Sequence, residues 1–120
     1  MNMTSNLFDD LGIGIDIVEV DQFREKEYSK NVQFYQTIFS KSEIDYCLQY
    51  DDPYPHFAGK FAIKEAVIKS IKTKILPIEI EVDSSSSKPN VAIKDKSYKF
   101  HASISNEKHI AIGVIISFKM

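Results

Sequence analysis

HFAGKFAIKEAVIKSIK, residues 56–72, is the stretch on which the fold turns. Its apolar residues recur at helical rather than strand spacing, and Pro55 stands just before it, a common place for proline at a helix start. At about 100° per residue, Phe57, Phe61, Ile68 and Ile71 form one apolar arc. After this helix the period changes to two: Ile78, Ile80 and Val82 alternate with Glu79 and Glu81, as in a strand with one wet face. Residues 90–93 form a further short strand. Residues 98–105 and 109–118 form a hairpin through Asn106, Glu107 and Lys108.

Working back towards the N-terminus, LGIGIDIVEV at residues 11–20 is short and rich in Ile and Val, so it is a strand. Ile13, Ile15 and Ile17 point one way, and Gly14, Asp16 and Val18 the other. Two short helices are expected over residues 22–28 and 32–39. Ser40 and Glu43 make a capping box that opens a helix over residues 41–49, stopped by Asp51, Asp52 and Pro53. SSSSKPN, residues 84–90, is a loop. One strand, then helices, then several strands define an α+β fold, with an antiparallel sheet packed against a long central helix.

The whole chain, 120 residues and 13.7 kDa, has room for one domain, 1–120, with a core that needs no metal or disulfide. A net charge of −2 argues against nucleic acid as a partner. Of fifteen basic residues, only Arg24 is arginine, so an anion site must rely on Lys, His or backbone N–H groups. Cys47 is the single cysteine, which excludes an intrachain disulfide and suits a reducing cytosol. The N-terminal MNMTSNLFDD has no basic or apolar stretch of a targeting signal. The longest apolar run, IAIGVIIS, is far short of the ~20 residues that cross a bilayer. A cytoplasmic protein with no membrane partner is expected.

Three polar groups sit oddly in this pattern. Asp16 lies mid-strand between isoleucines. It is either on a solvated face, or it is a metal ligand or catalytic carboxylate. Glu65 falls at the margin of the helix's apolar arc with Lys69 one turn on. This is either a solvated ion pair worth ~0.3–0.5 kcal/mol, or a carboxylate and an ammonium set side by side at a pocket wall. Lys60 and Lys64 form a second stripe on the helix, where two like charges repel unless an anion lies between them. In FHASIS, His101, Ser103 and Ser105 share one strand face with Lys99. They suit a phosphate or a ribose, or simply form the wet side of a sheet. Hard oxygen ligands, cations and hydroxyls together make the inventory of magnesium-assisted phosphate chemistry. Zinc spacing, a P-loop and a complete dinucleotide fingerprint are all absent from the sequence.

GIGIDIVEV at residues 12–20, FAGKFAIKEAVIK at residues 57–69 and HASIS at residues 101–105 resemble the three motifs of holo-acyl-carrier-protein synthases, the small single-domain 4′-phosphopantetheinyl transferases. The resemblance covers nearly the whole chain, in order. It implies transfer of 4′-phosphopantetheine from coenzyme A to a serine of an acyl carrier protein, with magnesium as cofactor and adenosine 3′,5′-bisphosphate released, in lipid metabolism. It makes Asp16 and Glu65 the magnesium ligands. Lys69 becomes the lysine at the transferring phosphate, and Lys60, Lys64, His101 and Ser103 lie at or near the coenzyme A phosphates. It also implies a homotrimer whose sites are shared between neighbours. For that trimer, Ile110, Ile112, Val114, Ile116 and Phe118 are expected to fill the domain's own core. The smaller face of Ala111, Gly113 and Ile115 is expected to pack against another subunit. The sequence departs from the family pattern at Asn106, where the third motif has histidine. It departs again at Lys60, where arginine is usual, and at Asp21 and Gln22, where a basic residue meets the carrier. The glycine-rich linker after the long helix is missing. A non-catalytic module that kept a coenzyme A or carrier-protein site is the alternative.

Overall fold

The structure, a computed structural model, describes residues 10–120; the N-terminal residues 1–9, in which no targeting signal was read, lie outside it. The chain runs β1 (Leu11–Glu19), α1 (Asp21–Arg24), a 3-10 turn (Tyr28–Lys30), α2 (Val32–Gln36), α3 (Lys41–Leu48) and α4 (Tyr54–Ser70). A second 3-10 turn (Pro77–Glu79), β2 (Glu81–Asp83), β3 (Asn90–Ala92), β4 (Tyr98–Asn106) and β5 (Ile110–Lys119) complete it. The main sheet is antiparallel in the order β1-β5-β4, and β2 pairs with β3 in a separate two-stranded ribbon. An α+β domain with an antiparallel sheet on a long helix is therefore what the chain forms. Among the described residues no helix is long and apolar enough to cross a membrane.

The helix α4 lies directly on the sheet because three glycines clear its path. A Cβ at Gly12 would overlap the Ser70 carbonyl oxygen, one at Gly14 the Ala66 carbonyl oxygen, and one at Gly113 would sit 2.7 Å from backbone atoms of Ala62 and Ile63. On both sides of α4 the core is apolar. Phe23, Tyr35, Phe39, Ile44 and Cys47 surround its N-terminal half, and Ile80, Val82, Ile93 and Ile115 its C-terminal half. The Tyr35 and Phe57 rings pack at a 56° tilt with centroids 4.7 Å apart, and the Tyr35 hydroxyl donates to the carbonyls of Phe23 and Lys26.

Several sequence expectations need correction. The face of β5 that packs inward is the small one. Ala111, Gly113, Ile115 and Ser117 are buried under α4, while Ile116 and Phe118 are exposed. The close approach of the helix excludes the larger side chains. The helix expected over residues 22–28 is a single turn, Asp21–Arg24, and α2 ends at Gln36. The long helix begins two residues early, with Pro55 inside its first turn, where a missing N–H costs nothing. Pro77 starts a 3-10 turn, so Ile78 is not in the strand and β2 begins only at Glu81. The capping box at Ser40 and Glu43 forms as read.

Candidate active site

Period-two alternation turns Gly14, Asp16 and Val18 towards α4 and leaves Ile13, Ile15 and Ile17 outside. Asp16 is therefore on the helix side of the sheet, with its side chain only 18 % exposed. Lys69, near the end of α4, donates to Asp16 Oδ1 at 2.9 Å and to the Ile15 carbonyl at 3.0 Å. Glu65 lies one turn earlier on the same helix face. Partial burial, then the nearby charge of Asp16, holds its carboxyl above the ordinary carboxylate range, with Lys69 opposing. The structure thus brings Asp16, Glu65 and Lys69 together at the β1 edge of the sheet.

Among the described residues no three His, Cys, Asp or Glu side chains cluster. Two carboxylates with one ammonium form an incomplete, all-oxygen donor set. That set fits magnesium, which keeps waters and takes its remaining ligands from substrate phosphates. It does not fit zinc, which wants nitrogen or sulfur.

The other predicted residues separate into two environments. His101 and Ser103 project from the exposed face of β4 and line a 580 Å³ cavity with Lys88, Pro89, Lys99 and Ser86. A neighbouring 260 Å³ cavity, lined by Lys60, His56, Asn106 and the same serine loop, adjoins it through Ser86, Ser87 and Ile104. Both lie along β4. In the order β1-β5-β4 that is two strand spacings, roughly 10 Å, from β1 and Asp16. The chain itself does not unite the two groups.

The lysine stripe is the main correction to the site. Lys64 is fully buried. Its Nζ makes an ion pair with Glu43 Oε1 at 2.8 Å and donates to the carbonyls of Ile38, Pro77 and Ile80. Glu43 is equally enclosed: Oε1 also accepts from Ser40 N, and Oε2 from Val82 N at 2.6 Å. Every direction from the Lys64 ammonium is occupied by protein, so it is not a coenzyme A contact. Lys60 is 2 % exposed, bonded to the Val82 carbonyl and Ser84 Oγ, and lies over the Tyr46 ring at 4.6 Å. Burial pushes both lysines below the usual amine range. No anion is needed to relieve their repulsion, because carbonyls and Glu43 absorb the charge.

Sequence reasoning missed Glu43 as the partner of Lys64; it read Glu43 only as a helix cap. It also passed over Asn106 as a pocket residue, although Asn106 donates to the Pro55 carbonyl and lines the smaller cavity. Arg24, the one arginine, is taken up by Asp21 at 2.9 Å and Asp52 at 2.6 Å.

Comparison with known proteins defines the family of the chain. The family model of the 4′-phosphopantetheinyl transferase superfamily matches residues 12–115. A holo-[acyl-carrier-protein] synthase of Thermodesulfovibrio yellowstonii is 35% identical over 109 residues, covering 88% of this chain and 96% of that one. One from Leptospira biflexa is 33% identical over 123 residues, covering 91% and 97%. Among solved structures, the Bacillus anthracis synthase in complex with CoA (3′,5′-ADP) superposes with a TM-score of 0.78. It shares 26% identity, with 91% of this chain and 96% of that chain covered. The Helicobacter pylori synthase in complex with coenzyme A has a TM-score of 0.73 and 28% identity, with 86% and 96% covered. The chain belongs to the 4′-phosphopantetheinyl transferase superfamily.

Proposed function

We propose that this chain is a holo-acyl-carrier-protein synthase, an enzyme of the cytoplasm that transfers 4′-phosphopantetheine from coenzyme A to a serine of an apo acyl carrier protein. The observation that carries the reading is the meeting of Asp16, Glu65 and Lys69 at one sheet edge, in a chain whose relatives carry that name. Asp16 and Glu65 are the residues that would hold magnesium. When bound, the ion shields the pyrophosphate and stabilises the charge that develops on it. Lys69, half exposed and held by Asp16 and Ile15, sets an ammonium beside the leaving phosphate. The attacking serine loses its proton to water, since a Glu65 carboxylate holding the cation would be a weak base. The adenosine bisphosphate end of coenzyme A fits the paired cavities along β4, with His101 and Ser103 facing it and Lys60 and Asn106 behind.

Two features support a homotrimer in which neighbours share each site. Asp16 faces α4, whereas the strand register puts His101 and Ser103 on the outer face of the sheet with Ile13 and Ile15, so a site that draws on both classes of residue is more readily built from two copies. The outer sheet face also presents Ile13, Ile15 and Ile17 at 73, 57 and 64 % exposure, beside Ile116 and Phe118. An apolar patch of that kind marks a covered surface.

The test is mass spectrometry of a panel of apo carrier proteins incubated with coenzyme A, magnesium and this protein. A phosphopantetheine mass increment is expected, and it is abolished by Asp16→Ala or Glu65→Gln. Wild-type rates in both variants overturn the assignment. Coenzyme A binding without any transfer would leave a binding module.

A further inference from the structure

Lys69 stands next to the last residue of α4 with its side chain 53 % exposed, yet its ammonium is turned back onto β1. It donates to Asp16 Oδ1 at 2.9 Å and to the Ile15 carbonyl at 3.0 Å. β1 is an edge strand, so backbone groups on its open side lack a ladder partner, and the Ile15 carbonyl finds one in Lys69. The two bonds differ in kind. The carbonyl is a neutral acceptor, whereas Asp16 Oδ1 is an anionic oxygen that a divalent cation would also claim. Glu65 stands in the same field: the charge of Asp16 opposes its ionisation, and that of Lys69 favours it. One ammonium therefore offsets two carboxylates. A divalent cation brings twice that charge to the same oxygens, and like charges so close repel.

Resting on the transferase reading, we infer that Lys69 is a place-holding cation: it keeps Asp16 and Glu65 together as a carboxylate pair, and it yields Asp16 to magnesium only when a pyrophosphate draws its ammonium away. The Ile15 carbonyl is the pivot. The ammonium keeps that bond, releases Asp16 Oδ1 and turns a donor towards a phosphate oxygen. Phosphate charge then separates the two cations that would otherwise crowd the carboxylates. Lys69 is thereby a positioning residue for the metal as well as a phosphate contact. Two consequences follow. The protein alone holds a divalent cation weakly, and cation and coenzyme A strengthen each other's binding by one common factor.

Manganese(II), its free aquo ion counted by electron paramagnetic resonance, is the probe, and no carrier protein is present. Titrations of the full chain with and without coenzyme A, corrected for the manganese that coenzyme A binds by itself, give a coupling factor, the ratio of the two dissociation constants. In the wild type that factor should exceed about tenfold. Lys69→Gln removes the charge at an exposed position. Without coenzyme A it should bind manganese at least about fivefold more tightly than the wild type. Its coupling factor should fall at least about fivefold, because direct ligation by phosphate is all that remains. Lys69→Met is the second neutral variant, with the same expectation. Lys69→Arg keeps the charge and should stay within about threefold of the wild type in both quantities. Neutral variants with wild-type affinity and coupling overturn the inference, as does a Lys69→Arg protein that behaves like Lys69→Gln. Coupling as expected in a protein that modifies no carrier removes the transferase reading and leaves the exchange standing. Carrier modification by the wild type, with coupling unchanged in Lys69→Gln, removes the exchange alone.

Discussion

Lys64 carries a charge into the core and meets a carboxylate and three carbonyls there. Removing one partner of such a pair leaves the other charge buried and uncompensated, at a cost of about 3–5 kcal/mol. Glu43→Gln and Lys64→Met should each lower stability by that order in urea titration, and an unchanged midpoint would contradict the enclosed geometry. Cys47 is also enclosed, and burial pushes its thiol up to about 12. A thiol reagent should therefore find no reactive group in native protein at neutral pH and one after denaturation. His56 stacks on Tyr50 at 3.6 Å, and desolvation holds its imidazole below the ordinary value of ~6.5. The unfolded chain then binds the proton more readily, so stability falls as pH drops below about 6.5. His56→Gln should lose less stability than the wild type between pH 7 and pH 5.5. Glu65 works in the opposite sense, because burial first, and then the charge of Asp16, resist its ionisation. Glu65→Gln should stop transfer while leaving the melting temperature equal or higher.

The pairing of α4 with β1 sets the distance between Asp16 and Glu65, and the glycines set that pairing. Gly14→Ala has to displace the backbone of Ala66, next to Glu65. The expected result is a loss of about 1–3 kcal/mol from overpacking and a larger loss of transfer rate than of coenzyme A affinity. Equal activity in a folded variant would mean that the helix can shift without cost. At this scale much was legible from the sequence. The change of period after α4, the capping box at Ser40 and the alternation through Asp16 each depend on local geometry that residue spacing records. Asp16 and Glu65 stood out because a carboxylate in an apolar strand and one at the edge of an apolar arc are locally expensive. The facing of β5 and the fate of Lys64 were not legible. Both depend on what the opposing element presents: the glycine-cleared seat of α4 in one case, and Glu43, Pro77 and Ile80 from distant segments in the other. A lysine reads as a surface residue until its partners are known. The strand expected at Ile78 failed because Pro77 cannot donate to a ladder, a local signal that the alternation outweighed.

At the scale of the whole molecule, the bare isoleucine face is the surface on which the proposed trimer rests. Ile15→Asp places a charge at the centre of that face without touching the packing under α4. It should convert a trimer, measured by light scattering, to a monomer and abolish transfer. A wild type that already runs as an active monomer at micromolar concentration would overturn the shared-site reading. The placement of the carboxylates at one edge of the sheet and the β4 cavities at the other also has a genetic consequence. Two chains, each ruined in a different half, can repair one another. A ring built from an Asp16→Ala chain and a chain carrying His101→Ala with Ser103→Ala has one interface where an intact β1 edge meets an intact β4 edge. Random assembly of equal amounts restores about a quarter of the sites. Two alleles that are each null alone should therefore complement when expressed together.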